Sequence, residues 1–121
     1  MTITSVLVID DEPFILDIFS QLLSDEGFNV QSVNSNEEAL AYLKKSEIDL
    51  ILVDYHMTGM SFSEFIATVR DGNHYSEIPI IAVTGVPDRI SKYDRDQIQG
   101  IIEKPFLPEV FIQTIRGLVV C

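Results

Sequence analysis

Val6-Leu7-Val8-Ile9-Asp10-Asp11-Glu12 runs four apolar residues directly into three acids, and the same pattern recurs along the chain. Leu50-Ile51-Leu52-Val53 ends at Asp54, Pro79-Ile80-Ile81-Ala82-Val83 ends at Thr84, and Ile101-Ile102-Glu103 leads to Lys104. The first three of these runs do not alternate apolar with polar side chains. Near-continuous runs of this length are expected of strands covered on both faces, as in a parallel sheet held between helices.

Helical spacing fills the stretches between them. Phe14, Ile15, Ile18, Phe19, Leu22 and Leu23 repeat at that spacing, with Pro13 where a first-turn proline is tolerated and Gly27 as the stop. Asn29–Val33 reads as a short second strand. Ser35-Asn36-Glu37-Glu38 and Ser61-Phe62-Ser63-Glu64 both have capping-box spacing and open helices with Ala39, Leu40 and Leu43, and with Phe65, Ile66 and Val69. Pro108 opens a last helix carrying Phe111, Ile112, Ile115 and Leu118. Segment 87–98 holds Ile90 and Ile98 but little else apolar, which predicts the weakest and most mobile helix. A βα unit repeated five times with right-handed crossovers predicts a doubly wound five-stranded parallel sheet, an α/β (βα)5 three-layer sandwich spanning residues 1–121 as one domain.

In open sheets of this kind, ligands bind outside the carboxyl ends of the strands. Asp10, Asp11, Asp54, Thr84 and Lys104 all fall at that edge. Alone, each is ordinary: a solvated acidic loop at a helix start, a β-branched strand end, a surface lysine. Together they are more specific. Three carboxylates on one small edge repel by several kcal/mol at an effective dielectric of about 20, unless a cation lies between them. Magnesium suits such a place, being hard and content with one or two carboxylates plus open positions for a phosphoryl oxygen. Lys104 can pair with Asp54 and with a bound phosphoryl group, and Pro105 after it favours an extended backbone there. The edge therefore suits phosphoryl transfer.

Composition narrows the partners. The chain has 121 residues, 46% hydrophobic and 22% charged, and a net charge of −11 from 19 acids and 8 bases. That balance disfavours direct nucleic-acid binding and an anionic membrane surface. The acids lean forward, with 11 acids and 2 bases in residues 1–54 against 8 and 6 in the remainder. No apolar run approaches the roughly 20 residues of a membrane span, and Met1-Thr2-Ile3-Thr4-Ser5 has no basic segment leading to a signal core. The one cysteine, Cys121, reads as an exposed, inert terminal thiol and fits a reducing, cytoplasmic setting.

With these residues in place, the sequence resembles the receiver domains of bacterial two-component response regulators. The carriers are Val8-Ile9-Asp10-Asp11-Glu12, Leu52-Val53-Asp54, Ala82-Val83-Thr84-Gly85 and Glu103-Lys104-Pro105-Phe106, found in order, and the resemblance covers essentially all of the chain. The resemblance implies a flavodoxin-like fold of the chemotaxis-regulator type. It implies Asp54 as phosphoacceptor from a phosphohistidine on a sensor histidine kinase or histidine phosphotransfer protein. It further implies magnesium held by Asp11, Asp54 and the main-chain carbonyl of His56, with Asp10 acting through water. Thr84 and Lys104 would contact the phosphoryl group, the Lys104–Pro105 bond would be cis, and a downstream effector protein would read the result.

Some positions depart from that family's pattern. Ile101 stands where an aromatic switch residue is usual, so coupling through a ring rotamer is not available. Thr58 replaces a proline and Phe62 a glycine in the loop after Asp54, and Phe62 is expected in the core or as a lid, or on a partner surface. His56 and Val86 resemble tuners of phosphoryl lifetime, whereas His74 reads as a loop residue. Two other classes compete: a phosphorylation-independent interaction module on the same fold, and a flavodoxin-like cofactor binder, which the Asp-Asp-Glu loop disfavours by repelling phosphate.

Overall fold

Every apolar run becomes a strand of one sheet. The computed structural model describes residues 4–72 and 74–119, so Cys121 and Met1-Thr2-Ile3 lie outside the described residues. In order the elements are β1 (Ser5–Ile9), α1 (Pro13–Asp25), β2 (Asn29–Val33), α2 (Asn36–Leu43), β3 (Leu50–Asp54), α3 (Phe62–Val69), β4 (Ile80–Thr84), a 3-10 turn (Pro87–Arg89), α4 (Lys92–Arg95), β5 (Gly100–Glu103) and α5 (Pro108–Val119). The strands are all parallel, in the order β2-β1-β3-β4-β5. β1 and β3 are neighbours although β2 separates them in sequence, which places the topological switch point between their carboxyl ends.

Alternate side chains of each strand go to opposite layers. Leu7, Ile9, Ile51 and Val53 pack with Leu40 and Leu43 of α2 and Phe65 and Ile66 of α3. Val6, Val8, Leu50 and Leu52 pack with Phe19 and Leu23 of α1 and Phe111 and Ile115 of α5. Full burial of such a side chain contributes about 1.5–3 kcal/mol, which is why both faces of the sheet are occupied. On the second face Phe19 stacks on Phe106 and Phe111, with ring centroids 5.5 and 5.1 Å away.

Local signals set the helix ends. Ser35 Oγ accepts the Glu38 N–H at 3.0 Å and Ser61 Oγ accepts that of Glu64 at 3.1 Å, as both capping boxes predict. Gly27, at φ 93°, ends α1 in the left-handed region open to glycine.

Two expectations are corrected. Segment 87–98 is not one helix but a 3-10 turn and a four-residue helix, because polar bonds rather than an apolar face hold it. In α1 helical spacing does not become one fully buried face: only Phe19 and Leu23 are fully buried, while Phe14, in the first turn, is 73% exposed. Phe62 takes the core position expected of it rather than a partner surface: it is buried, tilted against Tyr55 with ring centroids 5.1 Å apart.

Candidate functional site

Ladder hydrogen bonds carry the site residues just past their strands. Asp10 N–H donates to Val33 O, Tyr55 N–H to Val83 O at 2.9 Å, and Lys104 N–H to Thr84 O at 2.8 Å. The register sets Ile9 beside Val53, Asp54 beside Val83 and Thr84 beside Glu103. One edge of the sheet thus receives Asp10, Asp11, Asp54, Thr84 and Lys104. Carboxylate oxygens of Asp10, Asp11 and Asp54 lie within 4.8 Å of one another. Lys104 Nζ donates to Asp54 Oδ1 at 3.2 Å.

The electrostatics are uneven. Asp10 and Asp54 are nearly inaccessible, at 1% and 6% exposure, and Asp11 is less buried. Burial pushes the Asp10 carboxyl up; the Glu12 N–H, at 2.9 Å from Oδ1, opposes this, Asp54 adds to it, and Lys104 and Asp11 contribute smaller lowering and raising effects. The net value is about 6. Asp10 Oδ2 is buried and has no hydrogen-bond partner among the described residues. An unpartnered buried carboxylate oxygen, on a residue grouped with two further acids, is the chemistry of a hard-cation site.

Thr84 is fully buried and its Oγ1 accepts the Val86 N–H at 3.0 Å, leaving the hydroxyl proton for another acceptor. The Lys104–Pro105 bond is cis.

A family model for the response regulator receiver domain matches residues 6–116. The chain belongs to that family. Receiver domains of two-component systems are phosphorylated on an aspartate by sensor kinases, bind magnesium at an acidic pocket and act on effectors. The receiver chain is 34% identical over 121 residues to the transcriptional regulatory protein YvrH of Bacillus subtilis, covering 93% of this chain and 48% of that protein. It is 30% identical over 104 residues to the chemotaxis protein CheY-3 of Vibrio cholerae, covering 84% of this chain and 80% of that one. Among solved structures, the chemotaxis response regulator CheY4 of Vibrio cholerae superposes with a TM-score of 0.83 at 30% identity, covering 97% of this chain and 99% of that one. The response regulator protein TrrA from Thermotoga maritima, in complex with Mg(2+)-BeF, gives 0.85 at 25% identity, covering 95% and 98%. The receiver chain spans about half or less of several curated relatives, 48% of YvrH and 24% of the hydrogenase transcriptional regulatory protein HoxA of Cupriavidus necator.

Two sequence-predicted residues of this receiver domain stand apart from the acid edge. Ile101 is partly buried in β5 beside Ala82 and packs into the core on the α2–α3 side. His74 is exposed in the turn before β4, with its ring against Tyr75. His56 is exposed beside the site, edge-on to Tyr55 at 5.0 Å. Sequence reading missed the groups that hold the loop after Asp54. Asn36 and Glu37 passed as a helix start, and only their spatial neighbours, Gly59 and Met60, show otherwise.

Proposed function

We propose that Asp54 is the phosphoacceptor, taking a phosphoryl group from a phosphohistidine of a sensor histidine kinase or histidine phosphotransfer protein. The observation that carries this is the pairing of a nearly buried Asp54 carboxylate with Lys104 Nζ at 3.2 Å, on an edge that also holds Asp10 and Asp11. In the transfer an Asp54 oxygen attacks phosphorus, the bond from phosphorus to the donor imidazole nitrogen breaks, and the imidazole leaves as a neutral ring after taking up a proton. Lys104 neutralises charge on the transferred group, and the Thr84 hydroxyl donates to one of its oxygens. Asp10, Asp11, Asp54 and the main-chain carbonyl of His56 would hold magnesium, Asp10 through water. When bound, the ion screens the crowded carboxylates from one another and neutralises phosphoryl oxygens.

The domain therefore acts as a signalling module that catalyses only its own phosphorylation and dephosphorylation. Residues 1–121 form a single receiver domain working in the cytoplasm, with a protein effector rather than nucleic acid or membrane as its direct partner. Among the described residues no helix is long and apolar enough to cross a membrane. Thr84 begins the switch, and Ile101, an aliphatic side chain, contributes to it by packing rather than by ring rotation.

Incubation with a small phosphodonor and magnesium should add one phosphoryl group by intact mass, and Asp54→Asn should remove it. Lack of incorporation in the unmodified domain would sink this reading and favour a phosphorylation-independent interaction module.

A further inference from the structure

The link between β3 and α3 carries the loop face of the site and lacks a stiffening ring, since Thr58 leaves φ free there. It is held from outside instead. Gly59 sits at φ 81°, and a Cβ built on it would stand 2.9 Å from Glu37 Oε2, so the glycine backbone lies directly against that carboxylate. The next residue, Met60, donates its N–H to the same oxygen at 3.2 Å. Its carbonyl accepts from Asn36 Nδ2 at 2.9 Å. Two consecutive residues in the first turn of α2 thus take both polar groups of one loop residue.

Helix capping does not account for this pair. Ser35 already supplies the side-chain cap of α2. Asn36 is fully buried, and its Oδ1 has no hydrogen-bond partner among the described residues. A half-satisfied buried amide is a cost the helix start does not require. Its satisfied half points at the loop.

We propose that Asn36 and Glu37 are positioning residues for the phosphoacceptor site. By clamping Gly59 and Met60 they hold the backbone from His56 to Met60 in the one arrangement that lets the His56 carbonyl join Asp11 and Asp54 around a divalent cation. This rests on the acceptor-site reading above. The link is anchored at one end by Tyr55 N–H on Val83 O and at the other by the Ser61 cap, and the clamp divides what lies between. Apparent affinity for a ligand falls in proportion to the fraction of molecules that are binding-competent. Releasing the clamp lowers that fraction without touching a ligand.

Magnesium titration of the whole chain, followed by amide NMR, tests this with Glu37→Ala, Glu37→Gln and Asn36→Ala. Glu37→Gln keeps an acceptor for the Met60 N–H and removes the charge. Glu37→Ala and Asn36→Ala should raise the apparent magnesium Kd about five- to tenfold, while Glu37→Gln stays within about twofold of the parent. In metal-free protein, Met60 amide exchange should rise about tenfold in Glu37→Ala and little in Glu37→Gln. Parental magnesium affinity in Glu37→Ala would overturn the proposal, and so would Glu37→Gln falling as far as Glu37→Ala, which would make the effect one of charge. A parent that binds no magnesium is a different result: it overturns the acceptor-site reading and takes the clamp's role with it.

Discussion

Asp10 and Asp49 are carboxylates at opposite ends of the same sheet, and the fold treats them in opposite ways. Asp49, just before β3, accepts from Thr4 N–H at 3.0 Å, Thr4 Oγ1 at 2.9 Å and Ser5 N–H at 2.9 Å. Partial burial pushes its carboxyl up, but these bonds outweigh burial and leave it below the ordinary value. Asp10, just after β1, has one oxygen bonded to Glu12 N–H and one with no partner among the described residues, and stands near Asp54 and Asp11. Arg70 repeats the Asp49 pattern at the same amino end. Its guanidinium donates to the carbonyls of Gln97, Ser76 and Ile78 and to Gln99 Oε1, joining the end of α3 to the approaches of β4 and β5. Charges met by several hydrogen-bond partners at once fasten the strands together. A charge left short of partners, among others of its own sign, marks where something else is to bind.

Arg70→Ala gives the sharpest test of the amino end. Several carbonyl acceptors lose a charged donor together, so unfolding free energy should drop by about 2–3 kcal/mol. Magnesium affinity should stay at the parental value, and a loss there would break the division between the two ends. At the carboxyl end the sign reverses: Asp10→Asn should stabilise the metal-free protein by about 1–2 kcal/mol, by removing a desolvated and repelled charge, while weakening magnesium binding. Denaturant melts with and without a chelator would show both effects.

The pH profile follows from the same pair. Between about pH 4 and about pH 6 the folded state keeps a proton on Asp10 that the unfolded chain has released, so metal-free stability falls as pH rises through that window. Asp49 acts the other way, its contribution being present above its unfolded value of 3.8 and lost as pH falls below it. Asp10→Asn should flatten the slope on the high side only. The smallest effect belongs to Asp49→Ala, about 1 kcal/mol by the same melts, because Asp49 is only partly buried and water can accept from the Thr4 and Ser5 donors in its place.

Much of this was legible in sequence, element by element. The strands came through, with the acids, threonine and lysine that end them, because a continuous apolar run stopped by a polar residue fits a covered strand and little else. The capping boxes came through because they are bonds across three residues. Segment 87–98 did not. With only Ile90 and Ile98 it read as a weak helix, yet Tyr55 OH bonds to Arg89 O at 3.2 Å, Ser63 Oγ to buried Asp94 Oδ2 at 2.5 Å, and Arg95 Nε to Ile90 O at 3.0 Å. Two of those three bonds join residues more than thirty positions apart in sequence. Phe14 failed in the other direction: helical spacing predicts a shared face, but not how much of that face is covered.

The amino-acid sequence by itself determined the parallel α/β sandwich and the carboxyl-edge set of Asp10, Asp11, Asp54, Thr84 and Lys104, because strand period and strand endings are local properties. Only the tertiary structure decided which charges are satisfied. Asp49 meeting Thr4, Arg70 meeting Gln97, Asn36 and Glu37 meeting Met60, and Asp10 Oδ2 meeting none of the described residues are outcomes of strand order and helix placement. Hydrogen-bond satisfaction depends on distances between residues far apart in the chain.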